Sequence, residues 1–151
     1  MTMLSGAQVV DFVGNLIDKG KQERKFSIDL TAKSITQLEG RGRIDFGGSE
    51  FEWGQRTVLS PKRLNPQETF GWWKLTKGEY IIRLNESVIL PAGYLGLVLP
   101  HERIVLNGAH HPMLLLQSTV EHVEVLLCVS EVGIDIKENA RISSLNAFKI
   151  G

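Results

Sequence analysis

The sequence predicts a single, mostly β domain with one helix near its N-terminus. Many short segments alternate apolar and polar residues, which is the period of half-buried strands. One early segment has the helical period instead. The length of 151 residues suits one hydrophobic core. Many short strands with one helix favour a barrel or sandwich with Greek-key or jelly-roll connections.

The helical segment lies near the start of the chain. Ser5 can cap a helix and Gly20 can end it. The apolar residues between them fall on one helical face: Val9, Phe12, Val13, Leu16 and Ile17. We expect one amphipathic helix, followed by a charged, solvated loop from Lys19 to Lys25. Residues 1–25 thus precede a β domain at 26–151, and the two form one structural unit.

The first half of the β domain predicts several short strands. Residues 26–32 (FSIDLTA) alternate and are rich in β-formers. RIDF at 43–46 and EFEW at 50–53 predict two short strands. Gly54-Gln55 then predicts a hairpin-like link from EFEW to RTVL at 56–59.

The second half begins with a predicted loop at 60–71, which holds two of the five prolines. WWKLTKGEYIIRL predicts a hairpin that turns at Lys77-Gly78, and Pro91-Ala92-Gly93 turns between the next two strands. Two apolar strands follow, MLLLQ and HVEVLLCV, and the closing segment turns at Glu138-Asn139.

Composition and motifs exclude several classes of protein. Lys plus Arg and Asp plus Glu both number 17, so we expect no DNA, RNA or anionic membrane as partner. No apolar run is long enough to span a bilayer. The single cysteine, Cys128, permits no intrachain disulfide and favours a cytoplasmic location. The chain has no GxxxxGK[ST], GxGxxG, GxSxG or CxxC motif for the reactions that need them.

Polar residues after Pro100 are the first candidates for a site. Arg103 could hold a phosphate by a bidentate contact, and Glu102 could act as a base on water or as a metal ligand. Alternatively, the two form an ordinary surface pair. Gly108 permits a positive φ and close approach of a ligand to the backbone, or is simply a turn glycine.

Histidines and aromatic residues are further candidates. His110 and His111 point to opposite faces of an extended segment, so they cannot easily share a metal, but one could hydrogen-bond a substrate oxygen. Trp72, Trp73 and Phe70 could stack a base, although such aromatic residues more often pack in a core or interface.

Several segments, in order, resemble the dUTPase and dCTP deaminase family. The resemblance covers roughly residues 26 to 150. It is carried by SIDLTA (27–32), TQLEGRGRIDF (36–46), KGEYIIRLNESVILPAGYLGLVLP (77–100), PHERIVLNGA (100–109) and ENARISSLNAFKI (138–150).

The resemblance implies a distorted jelly-roll or β-barrel of the dUTPase-like type and a homotrimer with active sites at subunit contacts. It implies a pyrimidine deoxynucleoside triphosphate as ligand, usually with Mg²⁺, and release of pyrophosphate or deamination. By motif position, Asp29 and Glu102 would be catalytic, and no metal ligand is assigned. The nucleotide-binding residues would be His101, Arg103, Asn107, Gly108, His110 and His111.

The chain also departs from the family pattern. His101-Glu102-Arg103 replaces the usual Arg-Ser-Ser, and the positions of the family's catalytic acid fall mostly on leucines. The sequence given ends at Gly151, so we expect no glycine-rich tail to close over the substrate. These departures leave two functions open: an enzyme acting on a deoxynucleoside triphosphate, or a non-catalytic homotrimer that binds a nucleotide or a protein and regulates or assembles something.

Overall fold

A computed structural model describes every residue from Met1 to Gly151 and confirms the mostly β fold. Three helices of four residues are present: α1 (Gly6–Val9), α2 (Lys19–Gln22) and α3 (Glu102–Val105). The strands are β1 (Thr2–Met3), β2 (Val13–Gly14), β3 (Ile28–Leu38), β4 (Arg56–Leu59), β5 (Trp72–Leu75), β6 (Gly78–Leu84), β7 (Ser87–Val88), β8 (Tyr94–Pro100), β9 (Ala109–His110), β10 (Leu114–Leu116), β11 (Glu124–Val129), β12 (Ile134–Lys137) and β13 (Arg141–Lys149). No helix has both the length and the apolar character that a membrane crossing requires.

Nine of these strands form one strongly curled sheet. Its order is β10-β8-β13-β3-β6-β11-β9, with β1 beside β13 and β4 beside β3. All the pairings are antiparallel. The core lies inside the curl, where Ile28, Leu30 and Ile82 have no exposed surface. β3 is the central strand of this sheet, because Ile35, Thr36 and Gln37 pair with β6 along one edge and with β4 along the other, while its first half pairs with β13.

Two ribbons complete the fold. β2 pairs with β7, and β5 pairs with β12. In β5, Trp73 and Leu75 are buried, while the alternate residues Trp72 and Lys74 lie on the other face of the ribbon. This β5–β12 ribbon forms one wall of the site described below.

The N-terminal helix begins where the sequence predicts but is much shorter. Ser5 caps α1, since its hydroxyl accepts a hydrogen bond from the Gln8 amide at 3.3 Å and its own amide donates to Gln8 Oε1 at 2.9 Å. A 3₁₀ turn over Val10–Phe12 follows. The chain then leaves the helical path because Val13 pairs with Val88 as part of the β2–β7 ribbon. Val9, Phe12, Val13 and Leu16 of the predicted apolar face are buried or partly buried, but Ile17 is exposed. A helix up to Gly20 was wrong.

The charged segment after it is also not simply a solvated loop. Asp18 caps α2 by accepting a hydrogen bond from the Lys21 amide at 3.2 Å. Gln22, at the end of α2, is buried. A short helix at Lys19–Gln22 therefore occupies the first part of the loop predicted from Lys19 to Lys25.

Several predicted strands have different partners from those expected. Segments 43–46 and 50–53 form no strands and share a single bridge, between Arg43 and Glu52. β4 pairs with β3 rather than with EFEW, and β5 pairs with β12 rather than with β6. Both predicted hairpins were therefore wrong. The turns at Gly93 and Asn139 are confirmed, with φ of +88° and +65°.

A buried carboxylate joins α2 to the sheet. Glu86 is fully buried, and its carboxylate accepts hydrogen bonds from the Thr31 amide (2.8 Å), the Thr31 hydroxyl (2.6 Å) and Gln22 Nε2 (2.9 Å). Burial raises the pKa of the Glu86 carboxyl above its ordinary value, and these hydrogen bonds oppose that rise. Gln22 also donates to the Asp29 carbonyl at 2.9 Å, so α2 is held against β3.

We expect Glu86→Ala to lower the free energy of unfolding by about 3 kcal/mol, because it leaves buried donors of Thr31 and Gln22 without an acceptor. Urea denaturation of the purified chain measures this change. Glu124→Ala is the control, since Glu124 forms an exposed pair with Arg83 at 3.6 Å and we expect a change below about 1 kcal/mol. Equal effects of the two substitutions would contradict the role of Glu86.

Candidate functional site

A large cleft lies between the β5–β12 ribbon and the wall made by α3 and the start of β13. Its volume is about 920 Å³, which is within the range of pockets that bind small molecules. Apolar residues such as Leu75, Ile104 and Ile136 contribute to its lining beside charged ones. The cleft is therefore large enough for a ligand of nucleotide size and has both apolar and charged surface.

The ribbon contributes two lysines and one tryptophan to the cleft. In the register of the ribbon, Lys137 lies opposite Trp72 and Asp135 lies opposite Lys74. Lys137 Nζ is 5.5 Å from the centre of the Trp72 ring, a favourable cation–π distance. Neither lysine has a carboxylate within ion-pair distance.

The opposite wall contributes two arginines. Arg103 lies on α3, and its carbonyl accepts a hydrogen bond from Asn107 Nδ2 at 2.8 Å, which holds Asn107 against the same turn. Arg103 has no acidic partner. Arg141 begins β13, and its Nη1 donates to the Lys21 carbonyl at 3.0 Å and to Asp29 Oδ2 at 3.3 Å.

Asp29 lies behind the cleft as the centre of an ionic cluster. It is 2% exposed. Its Oδ2 atom accepts a hydrogen bond from Arg24 Nε at 3.1 Å and from Arg141 Nη1 at 3.3 Å, and His101 Nε2 lies 3.5 Å away. His101 also caps α3, since its Nδ1 accepts a hydrogen bond from the Arg103 amide at 3.1 Å. Asp29 thus orients residues of the wall without lining the cleft.

The charge of the cleft differs from the charge of the whole chain. Four cationic side chains line it, Lys74, Arg103, Lys137 and Arg141, against a single carboxylate, Asp135. The chain as a whole has equal numbers of cationic and anionic residues. A concave surface with this local excess attracts anions.

The site residues predicted from the sequence differ in their position relative to the cleft. Arg103 and Asn107 line the cleft. Asp29 and His101 are buried behind it, and Glu102 is exposed on α3 but does not line it. Of Asp29, Glu102 and Arg103, only Arg103 therefore lines the cleft.

The resemblance implies a Mg²⁺ ion, and the positions of the acidic and histidine side chains show whether the chain alone could hold it. No three His, Cys, Asp or Glu side chains lie close enough together to hold a metal ion. The residues present therefore do not form a Mg²⁺ site by themselves. We assign no ligand and no chemical step to that ion.

The two adjacent histidines separate as the strand geometry predicts. His110 is exposed, whereas His111 is buried, with Nε2 2.8 Å from the Ser143 hydroxyl and Nδ1 2.9 Å from the Pro112 carbonyl. Burial lowers the pKa of the His111 imidazole below its ordinary value. Both members of the His111–Ser143 pair are buried, so the pair holds β13 against the segment after β9.

The residues that sequence reasoning missed are those of the ribbon. Lys74, Asp135 and Lys137 were not candidates, and neither was Arg141 of β13, which pairs with Asp29. Trp73 packs in the core, where its Nε1 donates to the Leu59 carbonyl at 3.1 Å. The alternation in WWKL and IDIK shows which side chains share a face, but not that the two strands are partners.

Gly108 follows α3 and has a φ of +87°. A Cβ built there would lie 2.6 Å from Ser130 Oγ. We expect Gly108→Ala to lower the free energy of unfolding by about 1–2 kcal/mol, mainly through backbone strain. Urea denaturation of the purified chain measures this change in the free energy of unfolding. Gly47→Ala is the matched control, because its Cβ would meet nothing within 4 Å and we expect a change within about 0.5 kcal/mol. A loss at both glycines would contradict the assignment of strain to Gly108.

Comparison with known proteins identifies relatives of this chain. No family model matches it. The chain is 29% identical over 138 residues to a Methanosarcina mazei protein named as a probable deoxyuridine 5′-triphosphate nucleotidohydrolase, covering 87% of this chain and 74% of that one. An Archaeoglobus fulgidus protein of the same name is 28% identical over 153 residues, covering 96% of this chain and 86% of the relative.

The fold has a counterpart among solved structures. The crystal structure of 2′-deoxycytidine 5′-triphosphate deaminase from Agrobacterium tumefaciens superposes with a TM-score of 0.69 at 16% identity over 99% of this chain. This chain spans about half of the deaminase structure, 48% of its length. That likeness shows the fold. Together with the similarity in sequence along most of its length, it agrees with the resemblance to the dUTPase and dCTP deaminase family.

Proposed function

We propose that the chain binds a pyrimidine deoxynucleoside triphosphate in the cleft and acts on it as an enzyme of nucleotide metabolism. The excess of cationic side chains in the cleft carries this proposal. A triphosphate has several negative charges, and Arg103 and Arg141 can each contact two of its oxygens. The names of the similar proteins indicate dUTP as the first substrate to test.

The reaction is either hydrolysis of dUTP by water to dUMP and pyrophosphate, or hydrolysis of dCTP to dUTP and ammonia. Both need a base that takes a proton from water. Asp135 is the only carboxylate that lines the cleft, so we assign it this role. Asp29 acts through Arg141, which it orients. Glu102, on the exposed side of α3, remains a candidate for a site completed by a second copy in the proposed homotrimer.

Mg²⁺ is proposed as a companion of the nucleotide rather than as a resident ion. In nucleotide sites, phosphate oxygens and water supply most of its ligands, with one or two carboxylates. The absence of a group of three ligating side chains is compatible with this arrangement. The balanced charge and single cysteine fit the proposed cytoplasmic location.

A non-catalytic homotrimer that binds a nucleotide or a protein is the second candidate function. The contacts of Asp29 favour this function, because its carboxylate already contacts Arg24, Arg141 and His101. A carboxylate held in this way has little freedom to bind a metal or activate water. In this function the cleft still binds an anion, but no product forms.

We expect Arg103→Ala to weaken binding of dUTP by about tenfold, which corresponds to the loss of one charge-assisted contact to phosphate. Isothermal titration calorimetry of the full chain measures the affinity. Lys33→Ala is the control, because Lys33 is exposed and does not line the cleft; it should leave the affinity unchanged. Equal affinities for the wild type and Arg103→Ala would refute the assignment of the phosphates to this cleft.

We expect turnover of dUTP or dCTP in the presence of Mg²⁺. Asp135→Asn should lower the turnover rate about 100-fold, because it removes the base, while nucleotide binding is retained. Chromatography of the products measures dUMP and pyrophosphate, or dUTP and ammonia. Asp29→Ala should reduce binding as well as turnover, because Arg141 loses its partner. Binding of nucleotide without turnover of any triphosphate would instead establish the non-catalytic function.

A further inference from the structure

A second cavity lies beside the cleft and shares with it the lining residues Trp72, Lys74 and Leu75 of β5. Its volume is about 530 Å³. It lies between β5 and the residues that follow β4, and about half of its lining is apolar. Nothing in the proposed reaction uses it.

The walls of this cavity are fixed by hydrogen bonds. The Lys62 amide donates to the Trp72 carbonyl at 2.9 Å, and the Trp72 amide donates to the Lys62 carbonyl at 2.8 Å. Trp73 Nε1 donates to the Leu59 carbonyl at 3.1 Å, across the base of the same loop. A Cβ at Gly71 would lie only 2.9 Å from backbone atoms of Lys62, so the two segments are in close contact. The cavity is therefore preformed.

The polar lining of the cavity is almost wholly cationic. Lys62, Arg63 and Lys74 line it, and no acidic residue does. None of the three forms an ion pair. Arg63 makes only a long hydrogen bond, 3.4 Å from Nη1 to the Glu68 carbonyl. Three unpaired cations on one preformed surface favour a ligand with more than one negative charge.

Trp72 adds a polar group without a partner. Its Nε1 atom is buried and has no hydrogen-bond acceptor in the structure, although an indole N–H can only donate. A buried donor without an acceptor costs free energy. Trp72 lines both cavities.

We propose that this second cavity is a separate binding site for a small phosphorylated molecule with a flat apolar portion, such as a nucleoside monophosphate. The phosphate dianion lies against Lys62, Arg63 and Lys74, with Arg63 able to contact two oxygens. The flat portion packs on the apolar lining of Leu59, Leu64 and Trp72. This site is distinct from the triphosphate cleft and does not depend on a reaction there.

Isothermal titration calorimetry of the full chain tests the proposal with dUMP, inorganic phosphate and dUTP as probes. We expect Lys62→Ala/Arg63→Ala to weaken one dUMP binding event by at least about tenfold, while the affinity for dUTP in the cleft stays within about twofold. Arg103→Ala should show the reverse. Inorganic phosphate, which lacks the flat portion, should bind the second site more weakly than dUMP.

Lys33→Ala/Lys149→Ala is the matched control, since it removes two exposed charges that line neither cavity. An effect of this control as large as that of Lys62→Ala/Arg63→Ala would overturn the proposal. Three other results would also overturn it: no saturable dUMP binding, phosphate binding as tight as dUMP, or a single event per chain that both Arg103→Ala and Lys62→Ala/Arg63→Ala abolish. Failure of dUTP to bind would refute only the proposed function, because the dUMP result is measured independently.

Discussion

The position of the site depends on the buried carboxylate of Asp29. A buried charge is costly unless it is paired and hydrogen-bonded, and here one carboxylate oxygen contacts Arg24, Arg141 and His101. These partners come from the segment after α2, from the start of β13 and from the cap of α3. Both α3 and β13 form a wall of the cleft. Removing this carboxylate would therefore loosen the cleft and leave Arg141 uncompensated, although Asp29 itself does not line the cleft.

The same contacts explain why the sequence predicted some features of the fold and not others. The Ser5 cap and the turns at Gly93 and Asn139 depend on residues adjacent in sequence, and they were predicted correctly. Strand partners depend on packing between distant segments. WWKL alternates as a hairpin strand would, yet β5 pairs with β12, where Trp73 and Leu75 reach the core. The N-terminal segment likewise had the burial pattern of a helix, but pairing with β7 stabilised an extended backbone at Val13.

The sequence predicted only those residues of the candidate site that lie at a motif of the family. Arg103 and Asn107 were identified by resemblance to the phosphate-binding segment of the family, and they line the cleft. Lys74, Asp135 and Lys137 lie on strands whose pairing the sequence does not reveal, so nothing in the sequence associates them with Arg103. The substitution of Arg-Ser-Ser by His101-Glu102-Arg103 also has a structural reason. His101 caps α3 and approaches Asp29, so it helps to hold the wall of the cleft.

The cations of the two cavities also affect the stability of the free chain. Lys74 belongs to both cavities, and Lys62, Arg63, Arg103 and Lys137 lie around it without acidic partners. Their mutual repulsion destabilises the folded state modestly, because the side chains are largely exposed and screened by salt. An anion in either cavity removes part of that repulsion. Binding at one site should therefore favour folding by mass action. It should also lower the positive potential that the other site presents through Lys74, so two anions bound together would compete electrostatically.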